Sequence, residues 1–313
     1  MKAAVIRSFD AAPKYEDFAA PEPRGREEAR VSVLAAGLHR LTRGRATGSH
    51  YSTAVEPPLV PGVDGVGRDE RGKLRYFVLG ETRFGSMAER TVIELDHSIV
   101  LPRGCDPVTV AAAMNPAMGA WLALRCRYPF KRRQKVLILG ATGNSGSLGV
   151  QIARHLGASQ IIAAGRDEQR LARTRELGAT DAVPISDPKL GWIAREVDVV
   201  LDFVWGESTG PIMHQLVSQR PDRSRRLTWI EIGSTAGETA PVPSAPLRAA
   251  NFQIIGSGFG SVSGREIVKE LPALVKELAK GTFRIDAKAV PLRDVESAWG
   301  DASSTAERIV LTP

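Results

Sequence analysis

The run Val136-Leu137-Ile138-Leu139-Gly140-Ala141-Thr142-Gly143-Asn144-Ser145-Gly146 constrains the fold more than any other stretch of this chain. It passes from contiguous apolar residues through a glycine-rich turn into a segment whose Leu148, Ile152 and Leu156 recur at four-residue spacing. A strand that is apolar on both faces, followed at once by an amphipathic helix, opens a βαβ unit, and such units build parallel sheets. Glycine at 140 and 143 permits a tight turn and lets a pyrophosphate approach the backbone, while the first N–H groups of the helix face that anion. Gly146 or Gly149 allows helix and strand to pack closely, and Thr142, Asn144 and Ser145 complete the candidate cradle. An ordinary strand-to-helix loop shares this outline, and the strand before and helix after are what favour a dinucleotide loop. The usual nucleoside-triphosphate loop is excluded, because the only Gly-Lys pair, Gly72-Lys73, is followed by Leu74 and not by Ser or Thr.

Five more apolar segments follow Val136–Leu139 with helical texture between them: Gln160–Ala164, Asp181–Ile185, Val197–Val204, Leu227–Ile232 and Phe252–Gly256. Six strands in succession predict a doubly wound α/β sheet with its ligand at the carboxyl edge. The end of the second strand selects the dinucleotide. NAD sites place an acidic residue there for the ribose hydroxyls, but this chain reads Ala163-Ala164-Gly165-Arg166. With no carboxylate to repel a 2′-phosphate, Arg166 favours NADPH, by about 1.5–3 kcal/mol for a charge-assisted contact. The competing reading has Arg166 opening the next helix as a solvated charge. Ser234, after the fifth strand, and Gly256 and Ser257, after the sixth, fall at the same edge and are assigned to the cofactor.

A chain of 313 residues is roughly two domains long. Residues 1 to about 105 are rich in turns such as Pro21-Glu22-Pro23 and in short β-type runs, Lys2–Ile6, Arg30–Leu34 and Thr91–Leu95. After a helical segment from Glu266 to Lys280, the tail Arg308-Ile309-Val310-Leu311 has the same β texture. The first domain is therefore expected to be discontinuous, 1–110 with 258–313, around a nucleotide domain at 111–257. The apolar stretch Val108–Leu124 carries Thr109, Asn115, Pro116 and Gly119 and fits a buried helix better than a membrane span. Arg7 and Asp10 interrupt the N-terminus before a signal core could form, and Cys105 and Cys126 are too few for a disulfide framework, so a cytoplasmic location is expected. The formal charge of +7 is spread along the chain, and the basic segments Arg125–Lys135 and Arg220–Arg226 are not interleaved with aromatics, which make up 6% of residues. No nucleic-acid partner is expected.

Several short motifs accompany the glycine loop: Met1-Lys2-Ala3, Ala36-Gly37-Leu38-His39, Pro61-Gly62-Val63-Asp64-Gly65-Val66-Gly67, Gly85-Ser86-Met87-Ala88-Glu89, Ala120-Trp121 and Gly256-Ser257-Gly258-Phe259-Gly260. Together they resemble the medium-chain dehydrogenase/reductase superfamily, specifically its zinc-free quinone oxidoreductase-like, or zeta-crystallin-like, branch. The resemblance covers nearly the whole chain. It implies a doubly wound Rossmann sheet plus a discontinuous GroES-like β domain, with the cofactor in the cleft between them, and a homodimer joined through the edge strand near Phe252–Gly256. Zinc-dependent relatives hold their metal with a Cys and a His at positions that are His39 and Val63 here, so no metal is expected. Members of the branch have an Asn where this chain has His39 and a tyrosine near where Tyr51 falls, which makes both substrate-pocket candidates. His39 is equally readable as a loop histidine, and Tyr51 as loop packing. Trp205, after the fourth strand, borders the nicotinamide or the substrate, or belongs to the core. The family often has Thr where this chain has Gly119.

Hydride transfer from a nicotinamide needs positioning more than a side-chain nucleophile. The expected activity is zinc-independent reduction of a quinone or conjugated carbonyl by NADPH. Reduction of an enoyl or alkenal double bond is the alternative, and a non-catalytic NADPH sensor or nucleic-acid binder is the alternative of another class. A short-chain dehydrogenase is excluded, since Tyr15, Tyr51, Tyr76 and Tyr128 are followed four residues later by Ala19, Val55, Gly80 and Arg132, never by Lys.

Overall fold

The computed structural model describes residues 1–301 and 307–313. The chain divides into two units, Met1–Asn115 with Gly264–Pro313, and Pro116–Ser263. The N-terminal part of the first unit contributes strands β1 (Lys2–Val5), β2 (Lys14–Asp17), β3 (Glu28–Gly37), β4 (Asp64–Asp69), β5 (Leu74–Val78), β6 (Arg90–Glu94) and β7 (Ser98–Val100), with helix α1 (Arg40–Ala46) after β3. Helix α2 (Pro107–Leu122), continued by a π-helical turn at Ala123–Arg127, crosses from one unit into the next. Pro107–Arg127 is long and apolar enough to cross a membrane, but its most apolar window is 72% buried within the protein, as a core helix is.

The second unit holds the strands β8 (Lys135–Leu139), β9 (Gln160–Gly165), β10 (Asp181–Pro184), β11 (Val199–Asp202), β12 (Leu227–Glu231) and β13 (Phe252–Gly256). They form one sheet in the order β10-β9-β8-β11-β12-β13, and every pairing is parallel. The order runs outward in both directions from the β8/β11 pair, which makes that pair the switch point where open α/β sheets bind ligands. Helices α3 (Asn144–His155), α4 (Glu168–Leu177), α5 (Leu190–Ile193), α6 (Thr209–Ser218) and α7 (Ser244–Ala249) connect the strands. Apolar runs without alternation become strands buried on both faces: Val136, Leu137, Ile138 and Leu139 are all inaccessible or nearly so. Leu148 and Ile152 are the buried stripe of α3, which stops at Gly157 in a left-handed conformation.

Of these strands β11 falls furthest short of its apolar run, Val199–Asp202 against Val197–Val204. The run continues to Val204, but β11 ends at Asp202, whose Oδ1 accepts the backbone N–H groups of Val204 and Trp205 at 2.8 and 2.9 Å and so turns the chain.

The chain then adds helix α8 (Gly264–Ala279), strand β14 (Ala287–Pro291), helix α9 (Val295–Asp301) and strand β15 (Arg308–Thr312) to the first unit. Helix α8 buries Ile267, Leu271, Leu274, Val275 and Leu278 along one face. Strand β15 pairs parallel with β14 and antiparallel with β3, through Val310↔Gly37 and Leu311↔Ala36. The resulting mixed sheet runs β14-β15-β3-β4-β5-β7, with β6 also on β3. Its core gathers residues from both ends of the chain, among them Val5, Ile6, Val33, Phe77, Met87, Val295 and Ile309.

Candidate functional site

The turn between β8 and α3 is shaped by three glycines. Gly140 has φ +81°, a left-handed conformation that glycine adopts at no steric cost, and its N–H donates to the Ala164 carbonyl at 2.9 Å. Gly143 follows with its N–H donating to the Gly140 carbonyl at 3.1 Å, and it is the N-cap of α3. Having no side chain, it offers the first-turn N–H groups no capping acceptor, and no acidic residue lies in that turn. A Cβ on Gly146 would lie 2.2 Å from the Gly140 carbonyl oxygen, so helix and turn approach more closely than any other residue allows. Backbone N–H groups at the positive end of a helix, uncapped by their own chain and beside the switch point, form a fitting cradle for a dinucleotide pyrophosphate. Thr142 lies against the end of β9, where a Cβ on Gly165 would come within 2.5 Å of its Cγ2. Gly140, Thr142, Gly143, Asn144, Ser145, Gly146 and Gly165 are thus drawn into one corner of the second unit.

Arg166, the first residue beyond β9, is exposed and among the described residues forms no ion pair. Helix α4 is opened by its neighbour: Asp167 is the N-cap, its Oδ1 accepting the Arg170 N–H at 3.0 Å. Its other oxygen lies 3.3 Å from Arg170 Nε, so the adjacent carboxylate is engaged within its own helix.

The remaining carboxyl ends close the edge. Val204 and Phe203 back the glycine turn, with Val204 Cγ2 3.0 Å from where a Gly140 Cβ would be. Trp205 is half-buried against the apolar cluster below the sheet and holds φ +53°, a strained conformation for a bulky residue, of order 1–3 kcal/mol. Asp202 supports it: besides the two backbone N–H groups it accepts Trp229 Nε1–H at 3.0 Å, so its buried carboxyl is fully engaged. Ser234 is exposed after β12. Ser257 is buried, with its N–H on the Glu231 carbonyl at 2.8 Å, and the Gly256 carbonyl accepts Arg127 Nε–H at 2.9 Å. Burial raises the Glu231 carboxyl above the usual range, and the facing Asp202 adds to the shift. Gly119 is fenced by Ile232 Cγ2 and Phe203 Cε1, 3.3 and 3.4 Å from a Cβ built there, so a threonine would be crowded.

In the first unit, His39 is 2% exposed and ends β3's turn into α1. Its Nε2 lies 2.7 Å from Asp64 Oδ1, and the Tyr76 hydroxyl donates to Asp64 Oδ2 at 2.6 Å. Asp64 and Tyr76 are wholly buried. Arg308, arriving on β15, donates from Nη1 to the Leu38 carbonyl at 2.9 Å. Burial pulls its guanidinium down to about 10, opposed by the negative charge of Asp64. Burial, then Asp64, pushes the Tyr76 phenol well above its usual value. Val63 is buried and apolar. The one cluster of three metal-ligand side chains among the described residues is Glu94, Asp96 and His97, mostly exposed. Tyr51 stands apart, 75% exposed, with its ring 4.3 Å from that of His50.

The glycine turn, Gly165 and Arg166 are marked as cofactor candidates by sequence alone, whereas Asp202, Glu231, Tyr76 and Arg308 are not. For Asp202 the available signal is an acidic residue within an apolar run. Nothing local marks Tyr76 or Arg308, which reach the surroundings of Asp64 only through sheet pairing.

A glycine-cradled turn at the switch point of a six-stranded parallel sheet, joined to a mixed β unit, defines a two-unit dinucleotide-dependent oxidoreductase fold. No family model matches the chain. A probable NADPH-dependent quinone reductase of Emericella nidulans is 28% identical over the full length of both proteins, and a 2-haloacrylate reductase of a Burkholderia species is 27% identical over 92% of each. The crystal structure of the quinone oxidoreductase of Thermus thermophilus superposes with a TM-score of 0.81 over the whole of both chains at 24% identity, a likeness of fold. These relatives are named as reductases of quinones and of 2-haloacrylate, and the chain is similar to them along its length in sequence and to the Thermus thermophilus protein in fold.

Proposed function

We propose that the chain is an NADPH-dependent oxidoreductase that passes hydride to a quinone or another conjugated carbonyl compound without zinc. The observation that carries this reading is the uncapped cradle at Gly143–Gly146, with exposed Arg166 where a ribose-binding carboxylate would stand. Its first-turn N–H groups hold the pyrophosphate, Arg166 takes the 2′-phosphate, and Ser234, Gly256 and Ser257 line the nicotinamide half. Bound NADPH supplies the hydride. The relatives named as reductases of quinones and of 2-haloacrylate support either a quinone or an activated double bond as acceptor. The second unit serves the nucleotide, and the first, GroES-like unit handles the acceptor, with His39, Tyr51 and Trp205 as substrate-pocket candidates.

Strand β13 is the last in its sheet, and a second copy adding its own β13 there would give a homodimer. Neither Cys105 nor Cys126 is in a disulfide, which suits a reducing cytoplasm. The test is NADPH absorbance followed with a panel of quinones and enones. Oxidation that survives exhaustive chelation is expected. Tight NADPH binding with no acceptor reduced would instead establish the non-catalytic binder, and loss of activity on chelation would restore a metal to the reaction.

A further inference from the structure

We propose that His39, held by Asp64, passes a proton from Nδ1 to the oxygen of the acceptor. The inference rests on the reductase reading above and supplies the half of the reaction that hydride leaves unfinished. A quinone or enone that has gained a hydride carries the new negative charge on oxygen, and a positioned acid at that oxygen contributes on the order of 10²–10⁴ in rate.

The geometry singles out one nitrogen. His39 Nε2 is tied to Asp64 Oδ1 at 2.7 Å, and Asp64 Oδ2 is taken by the Tyr76 hydroxyl at 2.6 Å, so the ring is fixed from one side by a carboxylate that is itself fixed. The opposite nitrogen, Nδ1, is buried and without a partner. A core histidine is ordinarily satisfied at both nitrogens, and leaving one bare costs about 1–3 kcal/mol. Thr42 Oγ1, on the turn of α1 that His39 opens, and Ser86 Oγ, directly behind Gly62, are also buried and unpartnered. A bare Nδ1 on a ring whose other nitrogen is held by an engaged carboxylate, in a core otherwise built of residues such as Leu38, Val63 and Phe77, fits a site completed by a polar atom from outside the chain.

Hydride brings both electrons to the acceptor, the Nδ1–H bond breaks, and an O–H bond forms on the acceptor oxygen. The imidazole is left with Nε2–H on Asp64 and regains its Nδ1 proton from water. Asp64 and Tyr76 are positioning residues in this scheme. Because the ring is buried, the acceptor oxygen must come within hydrogen-bond reach of Nδ1, and the first test reads that approach directly.

The probe is 4-nitrophenol, whose absorption reports how its oxygen shares a proton, titrated into the full chain without cofactor. Wild type is expected to shift the spectrum, and His39→Gln to bind at least about tenfold more weakly without the shift. In turnover with a quinone, His39→Gln and His39→Ala should lose about 10²-fold in kcat at unchanged KM for NADPH. Imidazole should restore part of the His39→Ala loss, and Asp64→Asn should lower kcat with the same pattern. Wild-type kcat in His39→Gln, or a His39→Ala deficit that imidazole leaves untouched in folded, NADPH-binding protein, overturns the proposal. Should neither variant fold, the His39 ring resonances of the wild type decide: movement on adding 4-nitrophenol supports the role, and no movement removes it. A wild type that reduces no acceptor defeats the reductase reading, whereas an active wild type matched by His39→Gln defeats this proposal alone.

Discussion

The glycine turn of the second unit and the His39 cluster of the first reach polarity by opposite routes. At Gly140–Gly146 the polar groups are backbone N–H groups, and the sequence contributes mainly by leaving side chains out. Around Asp64 the polar groups are side chains from β4, β5, the end of β3 and β15, brought together from the two ends of the chain. A site of the first kind tolerates few additions, and one of the second kind tolerates few deletions.

Additions should therefore do the most damage in the second unit. Gly146→Val places a Cβ where only 2.2 Å separates it from the Gly140 carbonyl, and NADPH affinity measured by nucleotide fluorescence should fall more than about a hundredfold. An unchanged affinity would show that the turn is not the cradle. Arg166→Ala should weaken NADPH about ten- to a hundredfold and leave NADH nearly untouched, and equal losses for the two would remove Arg166 from phosphate recognition.

Deletion is the test for the first unit. Tyr76→Phe takes one donor from a wholly buried carboxylate and should cost about 1–3 kcal/mol in chemical denaturation, with NADPH affinity unchanged. A loss confined to nucleotide binding would show that the Asp64 cluster serves the nucleotide.

The smallest effect concerns Glu231. Its carboxyl is raised in the folded state by burial and by Asp202, so the stability linked to its protonation is full below the ordinary value of 4.5 and is lost as pH rises through the folded value. Glu231→Gln should therefore raise the melting temperature at neutral pH and change it little near pH 4. The gain should stay under about 1 kcal/mol, because solvent screens a half-buried carboxyl. A variant that melts lower at neutral pH would show that the charged form is instead held by a favourable contact.

The same contrast explains how much of the molecule is legible in its sequence. Strands β8 to β13 announce themselves because a sheet covered on both faces needs continuous apolar runs, and the turn after β8 because its glycines are spaced by backbone geometry. The end of β11 escapes a reading by apolar pattern, because the run goes on while Asp202 binds the N–H groups that a longer strand would use. Arg166 can be singled out by its place after β9, but that Asp167 caps α4 and turns its carboxylate to Arg170 is a matter of side-chain direction. His39 can be named as a candidate, yet its partners lie on strands whose register no local pattern states.

Because β15 completes the mixed sheet against β3, the ribosome releases the whole nucleotide unit before it releases Arg308. During synthesis the parallel sheet is thus free to fold while the first unit still lacks the strand that borders Leu38. A nascent chain stalled before residue 308 should expose the flank of β3 at Ala36 and Gly37 that β15 otherwise covers.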